Sequence, residues 1–216
     1  ALGGDGDDVV SDGSGADIVE GGDGDDHVVA SADGESDRYD GGAGEDTLDY
    51  SSATLSVFVD VGQSVGDSAE FGRDAVSGFE KIIGGAGDDR LVAGNSSITL
   101  EGGQGDDTFE FRRRDDDHRP DSVRKITDFT VGDRIVVARF EIRHRDDDDD
   151  GDDEIEDLFD SIYLSEDRDD RPIRFRFEKD DDDRTFVDVR DDDDSPDYYS
   201  IELNGHHRLE FAVVVP

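Results

Sequence analysis

The chain has 216 residues and a formal net charge of −40, from 62 acids against 22 bases, and only 32% of it is hydrophobic. Charge of this sign excludes nucleic acid, anionic lipid and phosphate as ligands and favours cations. With no Cys there is no disulfide and no thiolate metal site, and no apolar run approaches the ~20 residues of a membrane-spanning helix.

The chain opens at Ala1 with no basic-then-apolar leader, and it contains no Met anywhere, so Ala1 is expected to be the cut edge of something longer. Residues 3–11 read GGDGDDVVS and residues 21–29 read GGDGDDHVV. Asp8, Asp17 and Asp26 stand nine apart, and two residues after each comes an aliphatic, Val10, Val19 and Val28. The next unit, ASADGESDRYD, is two residues longer but ends the same way, with Asp37 and Tyr39; GGAGEDTLD then supplies Asp46 and Leu48.

The register breaks over 50–83. TLSVFVDV (54–61) alternates like a strand, and FEKII (79–83) places Ile82 just before the next glycine pair. The break is therefore read as further coils of the same architecture with a longer loop at 62–75. The pattern returns in GGAGDDRLV with Asp89 and Leu91 and in GGQGDDTFE with Asp107 and Phe109; between them, AGNSSITLE keeps Leu100 but has Ile98 in the acid position. Eight units keep the apolar position and seven of those keep the aspartate, a regularity that a disordered acidic linker does not produce.

The spacing has a physical meaning. Glycines reach positive φ at little cost, so GGxGx can bend tightly and turn carbonyl oxygens inward, here at Gly4, Gly6, Gly13, Gly15, Gly22, Gly24, Gly42, Gly44, Gly85, Gly87, Gly103 and Gly105. The three residues that follow suit a short strand whose middle side chain faces a core. Two units make one coil, and coils stacked at the ~4.8 Å strand spacing superpose alternate turns. Asp8, Asp26 and Asp46 then form one column, Asp17 and Asp37 the opposite one, and Asp89 and Asp107 a third. Carboxylates that close repel, by ~4 kcal/mol per pair at an effective dielectric of 20, and a divalent cation reverses the sign. An all-oxygen donor set on flexible loops selects Ca²⁺. Residues 1–110 carry 27 acids and only 4 bases, so side chains do not neutralise them.

GGxGxDxUx resembles the nonapeptide of RTX (repeats-in-toxin) proteins. The resemblance implies a right-handed parallel β-roll over 1–110 with several calcium ions stacked between adjacent coils. It also implies secretion through a type I system, with folding only once calcium is met outside the cell.

Residues 111–216 have no nonapeptides. The runs VRKITDF, DRIVVARFEI, PIRFRFEK, RTFVDVR, YYSIEL and RLEFAVVV read as strands, DDDD at 180–183 as a hairpin loop, and EIEDLFDSI as a short helix with Ile155, Leu158, Phe159 and Ile162 on one face. This half is similar to the segment after the repeats in serralysin-type proteases, which implies a β-rich cap and an uncleaved export signal near EFAVVVP. DDDDDGDDEIED (146–157) places acids at EF-hand positions, but a five-Asp run does so almost freely, and the stretch reads as a solvated loop.

No catalytic reading survives. GQSVG (62–66) fits a nucleophile elbow in letters only, since no helical period follows it, and the five histidines include no HEXXH. His206 and His207 read as a turn. Two functions remain: a calcium-folded module that supports export, stability and presentation of an upstream domain, or an adhesin-like module that binds extracellular polysaccharide. An exposed row of aromatics drawn from Tyr39, Phe58, Tyr198 and Tyr199 would mark the second.

Overall fold

The computed structural model describes residues 1–94, 97–112, 123–137, 140–144, 173–178, 184–190, 198–205, 207 and 209–213. These residues form strands, turns and loops, with no helix among them. The helix expected at 154–162, the EF-hand-like run at 146–157 and the other Asp runs lie outside the described residues.

The glycine-rich units send short strands alternately into two sheets. β1 (Leu2–Asp5), β3 (Ile18–Asp23) and β5 (Arg38–Ala43) belong to one; β2 (Val9–Ser11), β4 (His27–Val29) and β6 (Thr47–Asp49) belong to the other. Every pair among them is parallel, and the register superposes equivalent unit positions: Gly4 on Gly22 on Gly42, and Val10 on Val28 on Leu48. The apolar residue two places after each acid turns inward. Val19, Val28, Tyr39, Leu48, Leu91, Leu100 and Phe109 are wholly buried, and Val10, with a neighbour on one side only, is 9% exposed.

The stretch 50–83 holds more strand than the sequence suggests. β7 (Val57–Asp60), β8 (Val65–Ser68) and β9 (Gly72–Ser77) form an antiparallel meander inserted in the first sheet. Its outer strands pair in parallel, β9 with β5 and β7 with β11 (Arg90–Ala93). The loop expected over 62–75 is thus mostly strand. The inward residues of β8 are Gly66 and Ser68, and a Cβ on Gly66 would meet the Tyr50 hydroxyl, so apolar alternation cannot be seen there. β10 (Lys81–Ile83) carries the second sheet on in parallel between β6 and β12 (Ile98–Glu101), with Ile82 buried as expected. Ser64 of GQSVG, at φ 57°, closes the β7–β8 hairpin and leads into a strand, not a helix.

Both sheets run on without a break past residue 110. β13 (Thr108–Phe111) pairs in parallel with β15 (Arg134–Val137), and β12 with β14 (Arg124–Ile126). DRIVVARFEI is two strands and not one: β15 folds back on β16 (Phe140–His144), with Val137 opposite Phe140. The second sheet ends in the antiparallel set β17 (Ile173–Glu178), β18 (Arg184–Arg190) and β19 (Tyr198–Asn204), and the first ends with β20 (Leu209–Val213) on β16. β17 and β18 pair antiparallel with Glu178 opposite Arg184, and the DDDD run expected as their loop lies outside the described residues. One apolar cluster runs from Val10 through Leu48, Ile82 and Ile126 to Val187 and Leu203.

Candidate metal centre

The turns stack glycine on glycine. Gly4, Gly6, Gly13, Gly15, Gly22, Gly24, Gly42, Gly44, Gly103 and Gly105 have positive φ as expected. A Cβ on Gly22 would overlap the carbonyl oxygen of Gly4, and one on Gly42 that of Gly22, so the turns approach as closely as backbone allows. Gly85 and Gly87 are exceptions and lie outside the positive-φ region. Their turn rests on residues 53–56 and not on a like turn, and close approach to Ala53, Leu55 and Ser56 is what requires glycine there.

Each recurring carboxylate spans two circuits of the chain. Asp8 N–H donates to Asp26 Oδ1 at 2.9 Å, and Asp26 N–H donates to Asp46 Oδ1 at 2.8 Å. On the opposite edge Asp17 N–H donates to Asp37 Oδ1 at 2.7 Å. In the third column Asp89 N–H donates to Asp107 Oδ1 at 2.8 Å. The three columns expected from spacing are therefore hydrogen-bonded ladders.

Three further acids extend them. Asp37 N–H donates to Asp74 Oδ1 (3.0 Å), Asp46 N–H to Glu80 Oε2 (3.0 Å) and Asp107 N–H to Asp133 Oδ1 (2.8 Å). None belongs to a GGxGxD unit, which is why the glycine signature misses them. Each nevertheless stands two residues before a buried aliphatic, Val76, Ile82 or Ile135, and that narrower pattern could have found them. The third column starts at Val57, whose N–H donates to Asp89 Oδ1 at 2.7 Å.

The ladder uses one oxygen of each carboxylate. Asp26 and Asp46 are 1% and 0% exposed, and the Oδ2 of each is buried without a hydrogen-bond partner. A buried carboxylate oxygen is not normally left so, because its desolvation goes uncompensated. The space beside it is a cradle. A Cβ on Gly21 would collide with both Asp26 Oδ2 and the carbonyl oxygen of Gly41, and a Cβ on Gly41 with Asp46 Oδ2 and the carbonyl of Gly78. Gly3 and Gly84 repeat the arrangement with Asp8 and Asp89. At Gly3, Gly21 and Gly41 the missing Cβ thus leaves a place where a carboxylate oxygen and a carbonyl oxygen of the next circuit both come close. At Gly84 the Asp89 Oδ2 also accepts from Gly85 N–H at 2.6 Å, and at Gly102 only Asp107 lies near.

Electrostatics sharpen the deficit. Burial pushes the Asp107 carboxyl up to about 7, with the neighbouring Asp133, Asp89 and Asp128 acting in the same direction. Burial also raises Asp74 to about 6, and lifts Asp37, Asp46, Glu80, Asp89 and Asp133. Among the described residues the bases pair on the strand faces instead, as in Lys81–Glu101 (2.9 Å), Arg112–Asp60 (2.7 Å) and Lys125–Glu202 (3.0 Å). Nor do three carboxylate or imidazole side chains converge among the described residues to hold a metal by themselves. The buried carboxylates arrive one per turn, with Asp7, Asp25, Asp88 and Asp106 forming a second, exposed row, and the oxygens nearest the buried Oδ2 atoms are backbone carbonyls. The oxygen-only set, with orphaned Oδ2 atoms beside glycine carbonyls, fits a hard divalent cation.

Residues 39–150, 112 of the 216, match the family model for the peptidase M10 serralysin C terminal. The chain belongs to that family. Residues 2–34 of this serralysin C-terminal module match the RTX calcium-binding nonapeptide repeat, in a model of four copies. The two matches leave out only residues 35–38 between them, and both are non-catalytic modules. No curated protein matches the chain. Among the described residues no helix is long and apolar enough to cross a membrane. Tyr39 is wholly buried and contributes to no exposed aromatic row. Phe58 is half-buried, with the Arg90 guanidinium 5.3 Å from its ring centroid, and the side chains of Tyr198 and Tyr199 lie outside the described residues.

Proposed function

We propose that the chain is a non-catalytic calcium-folded module: a right-handed parallel β-roll over residues 1–110 followed by a β-rich cap over 111–216. It leaves the cell unfolded through a type I system, folds where calcium is abundant, and supports the export, stability and presentation of an upstream domain. The observation that carries this reading is the pair of buried, unpartnered Oδ2 atoms of Asp26 and Asp46, each facing a glycine carbonyl of the next circuit.

Asp8, Asp26, Asp46 and Glu80 hold ions on one edge, and Asp89, Asp107 and Asp133 hold them further along the stack, each set completed by glycine carbonyls. Bound calcium supplies positive charge and coordination to oxygens that the fold otherwise buries against one another. The chain's own part is to bring those oxygens together. The short strands fix the circuit spacing, the ladder from Asp N–H to the next carboxylate orients one oxygen, and the absent Cβ of the first glycine leaves the other open.

The apolar core supports the same conclusion. Each nonapeptide buries a single side chain in its apolar slot, so the core contributes little per unit. A ligand that binds only the folded chain adds stability by mass action. Far-ultraviolet circular dichroism of the chain, with calcium added and then chelated, tests the reading. Sheet signal should rise with calcium, fall on chelation and respond little to equal magnesium. A calcium-free sample that keeps its full sheet signal overturns it.

A further inference from the structure

The two edges of the first three circuits are not alike. On the edge that enters β2, β4 and β6, the turns are GGDGDD, GGDGDD and GGAGED, and the Oδ2 atoms of Asp26 and Asp46 are buried and unpartnered. On the edge that enters β3, β5 and β9, the turns are DGSGAD, ADGESD and AEFGRD; none begins with a glycine pair. There the second oxygens of Asp37 and Asp74 are already taken. The Tyr50 hydroxyl donates to Asp74 Oδ2 at 3.0 Å, and the Tyr39 hydroxyl lies 3.1 Å from Asp37 Oδ2 while also contacting Asp12 Oδ2. Asp12 occupies the place of the missing first glycine, and its Oδ1 accepts from Gly13 N–H at 2.7 Å.

Both tyrosines are held by packing. Tyr39 and Tyr50 are 0% and 1% exposed, meet edge-on at 6.4 Å, and Tyr50 packs edge-on against Phe71 at 5.1 Å. Neither hydroxyl can swing to solvent without breaking that cluster. Tyr39 stands in the apolar slot of its own unit, where the other described units have Val, Leu or Phe. A hydroxyl in that slot reaches the turn that an aliphatic side chain cannot.

We propose that over the first three circuits cations are taken only at the double-glycine edge, and that Tyr39 and Tyr50 close the opposite edge in their stead. Asp17 and Asp37, which the repeat spacing alone places among the metal ligands, then belong to a hydroxyl-closed column completed by Asp74. This inference rests on the calcium reading above and refines which turns serve it. A turn that has lost its first glycine has also lost the gap in which a carboxylate oxygen is left open, so sequence and geometry mark the same edge.

Calcium bound per chain, measured by equilibrium dialysis on the full chain, separates the possibilities. Asp46→Asn should lower the number of ions. Asp74→Asn and Tyr50→Phe should keep the wild-type number while lowering the thermal midpoint in saturating calcium. Tyr50→Phe leaves the bond from Asp37 N–H to Asp74 intact, so it remains informative if Asp74→Asn does not fold. Loss of an ion in Asp74→Asn or Tyr50→Phe overturns the hydroxyl-closed edge but leaves the calcium reading standing. Wild-type chain that binds no calcium overturns both.

Discussion

Strands β2, β4 and β6 are three residues long and bury one side chain each, Val10, Val28 and Leu48. Strand β18, at the other end of the same sheet, is seven residues long and buries Thr185 to Val189 in succession, packed beside Ile201 and Leu203 of β19. One sheet therefore contains two ways of being stable. At its far end, antiparallel strands bury enough surface to hold themselves together; at its near end, cohesion has to come from the turns. The acids follow the same division, since the carboxylate ladders stop at Asp133 and the far strands use side-chain pairs such as Lys125–Glu202 and Ser200–Asp188 (2.6 Å).

The largest way to break this comparison is to remove calcium and ask where protection is lost. Hydrogen exchange of calcium-free chain should show amides of β2 to β6 exchanging as in an unfolded segment, while those of β18 and β19 keep measurable protection. Uniform loss, or loss that begins at β18, would mean that the ends share one source of stability.

That division was only half legible in the sequence. The apolar slots from Val10 to Phe109 were readable because a nine-residue period survives every change of side chain, and all of them are buried. The ladder acids Asp74, Glu80 and Asp133 were not, because each follows a single glycine, Gly72, Gly78 or Gly132, and the glycine pair that announces a repeat turn is missing. β8 was hidden because its inward positions are Gly66 and Ser68, which carry no apolar signal. The β15–β16 reversal was hidden because Ile135 to Ala138 is one unbroken apolar run, which blurs the shift of the buried positions from Ile135 and Val137 to Ile142. The hydroxyl contacts of Tyr39 and Tyr50 depend on contact between circuits, and spacing along the chain does not report it.

A smaller and more local way to sharpen the comparison sets one lesion at each end. A Cβ at Gly41 would overlap the Gly78 carbonyl and the Asp46 side chain, neither of which can retreat without opening the stack. Gly41→Ala should cost about 1–3 kcal/mol and also raise the calcium concentration needed for half-folding. Leu203→Ala, in a slot with no exposure, should cost about 2–5 kcal/mol yet leave the calcium dependence of the near strands unchanged once its loss of stability is allowed for. Chemical denaturation at several calcium concentrations reads both. A Gly41→Ala chain with wild-type calcium dependence would remove the first glycine from the site.

Acidity should give the smallest effect, with opposite signs in the two states of the chain. In the calcium-free fold, burial holds Asp107 near 7 and Asp74 near 6, and both Asp46 and Asp89 are raised. A carboxyl with a raised folded-state value favours the fold when protonated. That stabilisation is complete below the unfolded value of roughly 4 and is lost as pH rises through the folded values. Calcium-free chain should therefore gain sheet as pH falls from about 8 toward 5, as the buried carboxyls whose folded values lie near 6 to 7 take up protons. With calcium present the same protons compete for the oxygens that hold the ion, so the calcium midpoint should rise over that window. Circular dichroism against pH in calcium-free buffer, paired with calcium titrations at each end of the window, tests both signs. A calcium-free chain that loses sheet on acidification would show that the buried acids sit more comfortably charged than protonated, and that the stack does not need a cation to bury them.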